Sequence, residues 1–94
     1  MTISKDSIVA RAPNLAQRLF EERMLVISPR DSMLHRFNEV GTFVWQTIEQ
    51  GTALNDILVS VQERFQGFDS KKNRTGIIAF LEELETKGLV TVAR

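Results

Sequence analysis

The chain has no cysteine and no tyrosine, one histidine, one tryptophan and two prolines in 94 residues. Without cysteine there is no disulfide, no thiol nucleophile and no thiolate metal ligand. His35 stands between Leu34 and Arg36, neither of which can complete a metal site or a catalytic pair. The four aspartates, Asp6, Asp31, Asp56 and Asp69, are scattered along turns and helix ends. Gly41 and Gly51 stand alone, without the spacing that cradles a phosphate. Catalysis, cofactors and metals all lack their usual residues here, so the expectation is a protein that is not an enzyme.

Long apolar runs are missing too. Nothing approaches the ~20 residues of a membrane helix. The opening MTISKDSIVARAPN lacks the apolar segment of a secretory signal. The cytoplasm is therefore the expected address, with no membrane contact. An excess of either charge is also absent: twelve basic residues balance twelve acidic ones. Nucleic-acid affinity rests mainly on neutralising phosphates with Lys and Arg, so a neutral chain argues against that class of partner.

Apolar residues make up 43% of the chain and charged residues 26%, the balance of a folded domain with one modest core. Residues 1–14 read as a loosely held arm ending at Pro13-Asn14, with Ile8-Val9 adding at most a little strand. Residues 15–94 read as a single domain. Leu15–Phe20 and Met24–Ser28 have strand character and are joined through Glu21-Glu22-Arg23; Met-Leu-Val-Ile is apolar without helical spacing. Ser28-Pro29-Arg30-Asp31-Ser32 is turn chemistry, and Met33–Phe37 returns as a third strand. The pattern predicts a three-stranded antiparallel meander.

The period then changes. Asn38 is placed to cap a helix on which Val40, Val44 and Ile48 share a face, with Trp45 beside them. Gly51 ends it and Thr52 is placed to cap the next. There Leu54, Ile57, Leu58, Val61 and Phe65 form the cleanest helical stripe in the chain. Asp69 or Ser70 can cap a third helix, whose inward stripe is Ile77, Phe80, Leu81 and Leu84. Gly88 stops that helix, and Leu89-Val90-Thr91-Val92 suits a brief terminal strand. The expected class is α+β and winged-helix-like, a three-stranded antiparallel sheet followed by three helices. Trp45, Phe43 and Phe80 belong in its core.

Two surfaces remain. Lys71, Lys72 and Arg74 place positive charge in the first turns of the third helix, where the dipole disfavours it by roughly 0.3–1 kcal/mol each. Ile78 falls outside the inward stripe, on a flank shared with Lys71, Arg74, Thr75 and Glu82. An apolar residue among basic and polar ones suits a partly exposed groove. Met33–Phe37, as the last strand of the meander, is an edge with little protection beyond Pro29 and Arg36. Such an edge can take up a further strand, from a peptide or from a second copy in a homodimer.

Several of these features occur together. The strand LHRF runs into Asn38, then comes GTFVW at 41–45, a Gly-Thr break at 51–52, an amphipathic helix, and FLEELETKGLV at 80–90. Their order and spacing, over about residues 15–90, resemble the PqqD-like family of precursor-peptide recognition elements. The resemblance implies a domain without chemistry of its own. It implies that the leader segment of a ribosomally made precursor peptide adds as a strand to the third strand and packs against the third helix. It further implies presentation of that peptide to a modifying enzyme, such as a radical SAM protein. Carried over by element, the pairing strand is Met33, Leu34, His35, Arg36 and Phe37, opposed by Lys71, Arg74, Thr75 and Ile78. This chain departs from the family in having Phe37 where Leu is common before the Asn, and Gly76 where the third helix commonly carries an acidic residue. Two other readings stand beside it: a winged-helix nucleic-acid binder using Lys71, Lys72 and Arg74, and an adaptor docking proteins on helix two around Val59.

Overall fold

Asn38 marks the point at which the chain turns from strand to helix. Its side-chain oxygen accepts the Gly41 N–H at 2.7 Å, a cap that meets one of the four unpaired amides of a helix N-terminus. The computed structural model describes residues 3–65 and 70–93, apart from the side chains of 70–72. Upstream of Asn38 lie β1 (Ile8–Arg11), β2 (Gln17–Phe20), β3 (Arg23–Ile27) and β4 (Leu34–Arg36). Downstream lie α1 (Glu39–Thr47), β5 (Thr52–Ala53), α2 (Leu54–Arg64), α3 (Ser70–Thr86) and β6 (Val90–Ala93). The mixed α and β order and the antiparallel meander β2-β3-β4 agree with the sequence reading.

One part of the expected fold needs correction. The strands form two three-stranded sheets, not one, and the second has the order β5-β1-β6. Its central strand comes from the segment expected to be a loosely held arm. Ile8 faces Ala53 on one side and Ala93 on the other, and Val9 faces Val92. Val9 is fully buried and Ile3 nearly so, a burial of roughly 1.5–3 kcal/mol for each such side chain. The alternation in so short a segment is too brief to announce a strand, and its partners lie far away along the chain.

The same segment explains how α2 starts. Thr52 does not cap it; the Thr52 hydroxyl donates to the Thr47 carbonyl at 2.8 Å instead. The N-cap is Ala53, whose side chain offers no oxygen. The amides of Leu54 and Asn55 donate to the carbonyls of Ser7 and Lys5 at 2.9 and 3.0 Å. Backbone from the N-terminal segment thus replaces the missing side-chain cap. The expected Asp69 cap of α3 lies outside the described residues.

The core forms where the helices meet both sheets. Val44 and Trp45 of α1 with Ile48 at its C-cap, Leu54, Ile57 and Val61 of α2, and Ile77, Leu81 and Leu84 of α3 are buried together with Val9, Val26 and Leu89. Phe37 packs edge-on against Trp45 and Phe80, with ring centroids 5.6 and 5.3 Å apart. Phe43 and Phe80, expected in the core, are half-buried at its rim. Arg11 ties the two sheets together. Its Nε donates to the Trp45 carbonyl at 2.9 Å, its guanidinium lies 5.1 Å from the indole centre, and the indole N–H donates to Gln17 of the meander at 2.9 Å. Partial burial lowers the Arg11 pKa, and nearby Glu49 opposes that shift.

Candidate functional site: an open strand edge beside α3

The hydrogen bonds of the meander show which backbone groups of β4 are already used. Phe37 N–H donates to the Met24 carbonyl and Ser28 N–H to the Met33 carbonyl, both at 2.9 Å. With Val26 opposite His35, the pairs that exchange bonds are Met24/Phe37, Val26/His35 and Ser28/Met33. The amides and carbonyls of Leu34 and Arg36 therefore point the other way, off the edge of the sheet. Among the described residues nothing pairs with them from that side.

That edge faces α3 across an open cleft of about 300 Å³. Leu34 to Phe37 form one wall, and Phe80, Glu83, Leu84 and Lys87 form the other. Of the five strand residues marked out by the sequence, Leu34, His35, Arg36 and Phe37 line the cleft and Met33 does not. Leu34 and Met33 are 60% and 56% exposed, unusual for large apolar side chains. Arg36 is exposed, His35 half-buried, and Phe37 buried, so Phe37 serves as floor and not as a contact free to move.

The helix side differs from the sequence reading. Arg74 and Thr75 are exposed and Ile78 is half-buried against the core, but none of them lines this cleft. Lys71 lies in α3 with its side chain outside the described residues. At ~100° per residue, Asn73, Gly76, Phe80, Glu83 and Lys87 run down one flank of the buried stripe, and Lys71, Arg74, Thr75 and Ile78 down the other. Periodicity identifies the stripe but treats its two flanks alike. The one asymmetric signal was Gly76, where a side chain is missing.

Gly76 lines a second hollow, which shares Phe80 with the first. It measures about 290 Å³ and lies between Asn38, Val40, Gly41 and Val44 on the α1 side and Asn73, Gly76 and Ile77 on α3. A Cβ added at Gly76 would meet no atom within 4 Å, so the glycine leaves space that any other residue would enter. Among the described residues, no charged one lines it. The volume is at the lower end of the ~300–1,000 Å³ typical of small-molecule pockets and better suits an inserted side chain.

The β3–β4 turn is tied to the C-terminal end of α3. Arg30 Nη1 donates to the Thr86 carbonyl at 2.9 Å, close to the end of α3, and Lys87 Nζ meets Asp31 Oδ2 at 3.3 Å. Gly88, at φ +77, lets Arg30 pass, since a Cβ there would lie 3.0 Å from Arg30 Nε. Asp31 also accepts from the Ser28 hydroxyl and from Met33 N–H. The Ser28 bond first, then Met33 and Lys87, hold its carboxyl down at about 2. His35 Nε2 lies 3.2 Å from the same Ser28 hydroxyl. These contacts join the β3–β4 turn to the C-terminus of α3 beside the cleft.

The model of the family described as "Coenzyme PQQ synthesis protein D (PqqD)" matches residues 23–90. The chain belongs to this family. Neither the curated proteins nor the solved structures give a match. The matched span runs from the start of β3 to the first residue of β6, and so contains both walls of the cleft, both hollows and the clamp. PqqD proteins bind a precursor peptide and work with a modifying enzyme. Among the described residues, no helix is long and apolar enough to cross a membrane, and no group of His, Cys, Asp and Glu could hold a metal ion.

Proposed function

We propose that this PqqD-family domain is a non-catalytic recognition element. It binds the leader segment of a ribosomally made precursor peptide as an added strand on β4 and presents it to a modifying enzyme, such as a radical SAM protein. In this reading the meander and the three helices act as a winged-helix-like scaffold. The observation that carries it is the pair of outward-facing backbones at Leu34 and Arg36, set across a cleft from α3. Each offers one donor and one acceptor to an extended peptide, and each bond formed is worth a net ~1 kcal/mol. Alternate side chains of the peptide then turn toward Phe80 and Leu84, and the next ones away from the helix. On the helix side the contacts are Phe80, Glu83, Leu84 and Lys87 across the cleft from β4, with Asn73 and Gly76 in the neighbouring hollow against α1.

The test is an amide chemical-shift titration of the labelled protein with the leader peptide of a precursor encoded beside it. Shifts at residues 33–37 and along the Asn73–Lys87 flank are expected. Shifts at 33–37 together with Lys71, Arg74, Thr75 and Ile78 would move the helix wall to the other flank. A titration that leaves residues 33–37 unmoved would end the strand-addition reading.

A further inference from the structure

The outer face of the meander has a composition that peptide binding at the edge does not explain. Residues opposite one another in an antiparallel pair project on the same side. The register sets Arg18, Leu25 and Arg36 in one row across the three strands, with Phe20 beside Arg23 and Ile27 beside Leu34. Met24, Val26 and His35 occupy the other face, toward the core. Phe20, Ile27 and Leu34 are 47%, 41% and 60% exposed, and Leu25 is half-buried between two arginines. Among the described strand residues of β2, β3 and β4, no lysine and no carboxylate falls on this face. Among the described residues, Arg18, Arg23 and Arg36 make no ion pair.

We propose that this face docks a protein surface in which carboxylates alternate with apolar side chains, and that the surface belongs to the peptide-modifying enzyme. Only the partner's identity rests on the peptide-binding reading. The enrichment in Arg and large apolar residues, with Lys, Glu and Asp absent, is the composition of a protein interface core. A face built for nucleic acid would use basic side chains for phosphates and gain little from Phe20, Leu25, Ile27 and Leu34. The chain is neutral as a whole, whereas the strand residues of this face carry three arginines, with Glu21 and Glu22 confined to the β2–β3 turn, and that excess selects an acidic partner by complementarity. Arginine suits the role because its planar guanidinium pairs with carboxylates in bidentate fashion and loses little hydration.

Position adds a second argument. Leu34 and Arg36 contribute their backbones to the open edge and their side chains to this face. A leader strand added at the edge would extend the sheet by one strand, and half of its side chains would join the same surface. The enzyme would then meet the domain and its bound peptide as one continuous face, and the loaded form would present more surface than the empty one.

The experiment uses the full chain and the purified modifying enzyme encoded beside it, with affinities measured by calorimetry with and without leader peptide. Arg18 and Arg23 are exposed and away from β4, so the double variant Arg18→Glu, Arg23→Glu tests the face without touching the edge. It should weaken enzyme binding about tenfold or more, as loss of interface arginines does, and leave leader affinity within about twofold. Phe20→Ser should weaken enzyme binding as well, and thermal unfolding of both variants should match the parent. Unchanged enzyme affinity in the double variant, or no enzyme binding by the parent, overturns the proposal. So does a charge-reversal effect seen only with phosphatidylserine vesicles or a DNA duplex. If the parent binds no leader peptide but the charge reversal still abolishes enzyme binding, the peptide reading fails and the docking face stands. If leader binding persists while the face variants bind enzyme normally, the docking face fails alone.

Discussion

Proline at position 36 separates strand addition from every other way of using this surface. The Arg36 N–H points off the sheet and pairs with nothing among the described residues, so the parent fold loses no ladder bond when it is removed. Proline is tolerated on an edge with its missing N–H turned outward. The residue before it, His35, is already extended, as proline requires. An incoming peptide, however, finds a ring where it expects a donor. Its carbonyl is left unmet at a cost of about 1–3 kcal/mol, or roughly 5- to 150-fold in affinity. Arg36→Ala is the reference, because it removes the side chain and keeps the donor. His35→Pro is the converse: its N–H belongs to the pair with Val26, so it should lower the unfolding midpoint clearly. Fluorescence anisotropy with a labelled leader peptide, alongside thermal unfolding, reads both quantities. If Arg36→Pro binds as tightly as Arg36→Ala while remaining folded, no strand adds at β4 and the reasoning fails.

Gly76→Leu should raise helix stability by up to ~1 kcal/mol, since glycine is a poor helix former and nothing lies within 4 Å to clash. It should also weaken leader binding by filling the hollow beside Phe80; a denaturant curve and a binding curve would show the two effects with opposite sign. Ile3→Ala should destabilise the fold by about 2–5 kcal/mol in urea, because Ile3 is buried in the main core and is no part of a free arm. Asn38→Ala should cost about 0.5–2 kcal/mol through loss of the α1 cap, again read by urea unfolding. Asp31 has a folded pKa of about 2 against an ordinary 3.8, so its stabilising effect is present above about 4 and lost as pH falls toward 2. Asp31→Asn should therefore flatten the acid limb of a stability-against-pH profile in that window and leave the neutral region less stable.

The sequence by itself determined what local pattern can determine. The switch from a period of two to one of 3.6 at Asn38 announced the change from strand to helix. Asn38 and Gly88 carry boundaries in their own chemistry, whereas α1 already ends at Thr47, ahead of the expected Gly51, and of the stripe Ile77, Phe80, Leu81 and Leu84 all but the half-buried Phe80 are buried. The motifs around residues 34–45 and 80–90 named the family before any coordinates. Tertiary structure decided the rest, because it depends on residues far apart in the chain. Ile8-Val9 is a strand only because Ala53 and Val92 come to meet it, and α2 can begin at an alanine only because Lys5 and Ser7 bring their carbonyls there. The flank of α3 that faces the open edge was likewise beyond reach of periodicity. A helical stripe has two equivalent borders, and the choice between them was made by Phe37 packing on Phe80 and by Arg30 and Asp31 gripping the far end of the helix. Those contacts orient α3 about its own axis, and no spacing within the helix encodes that rotation.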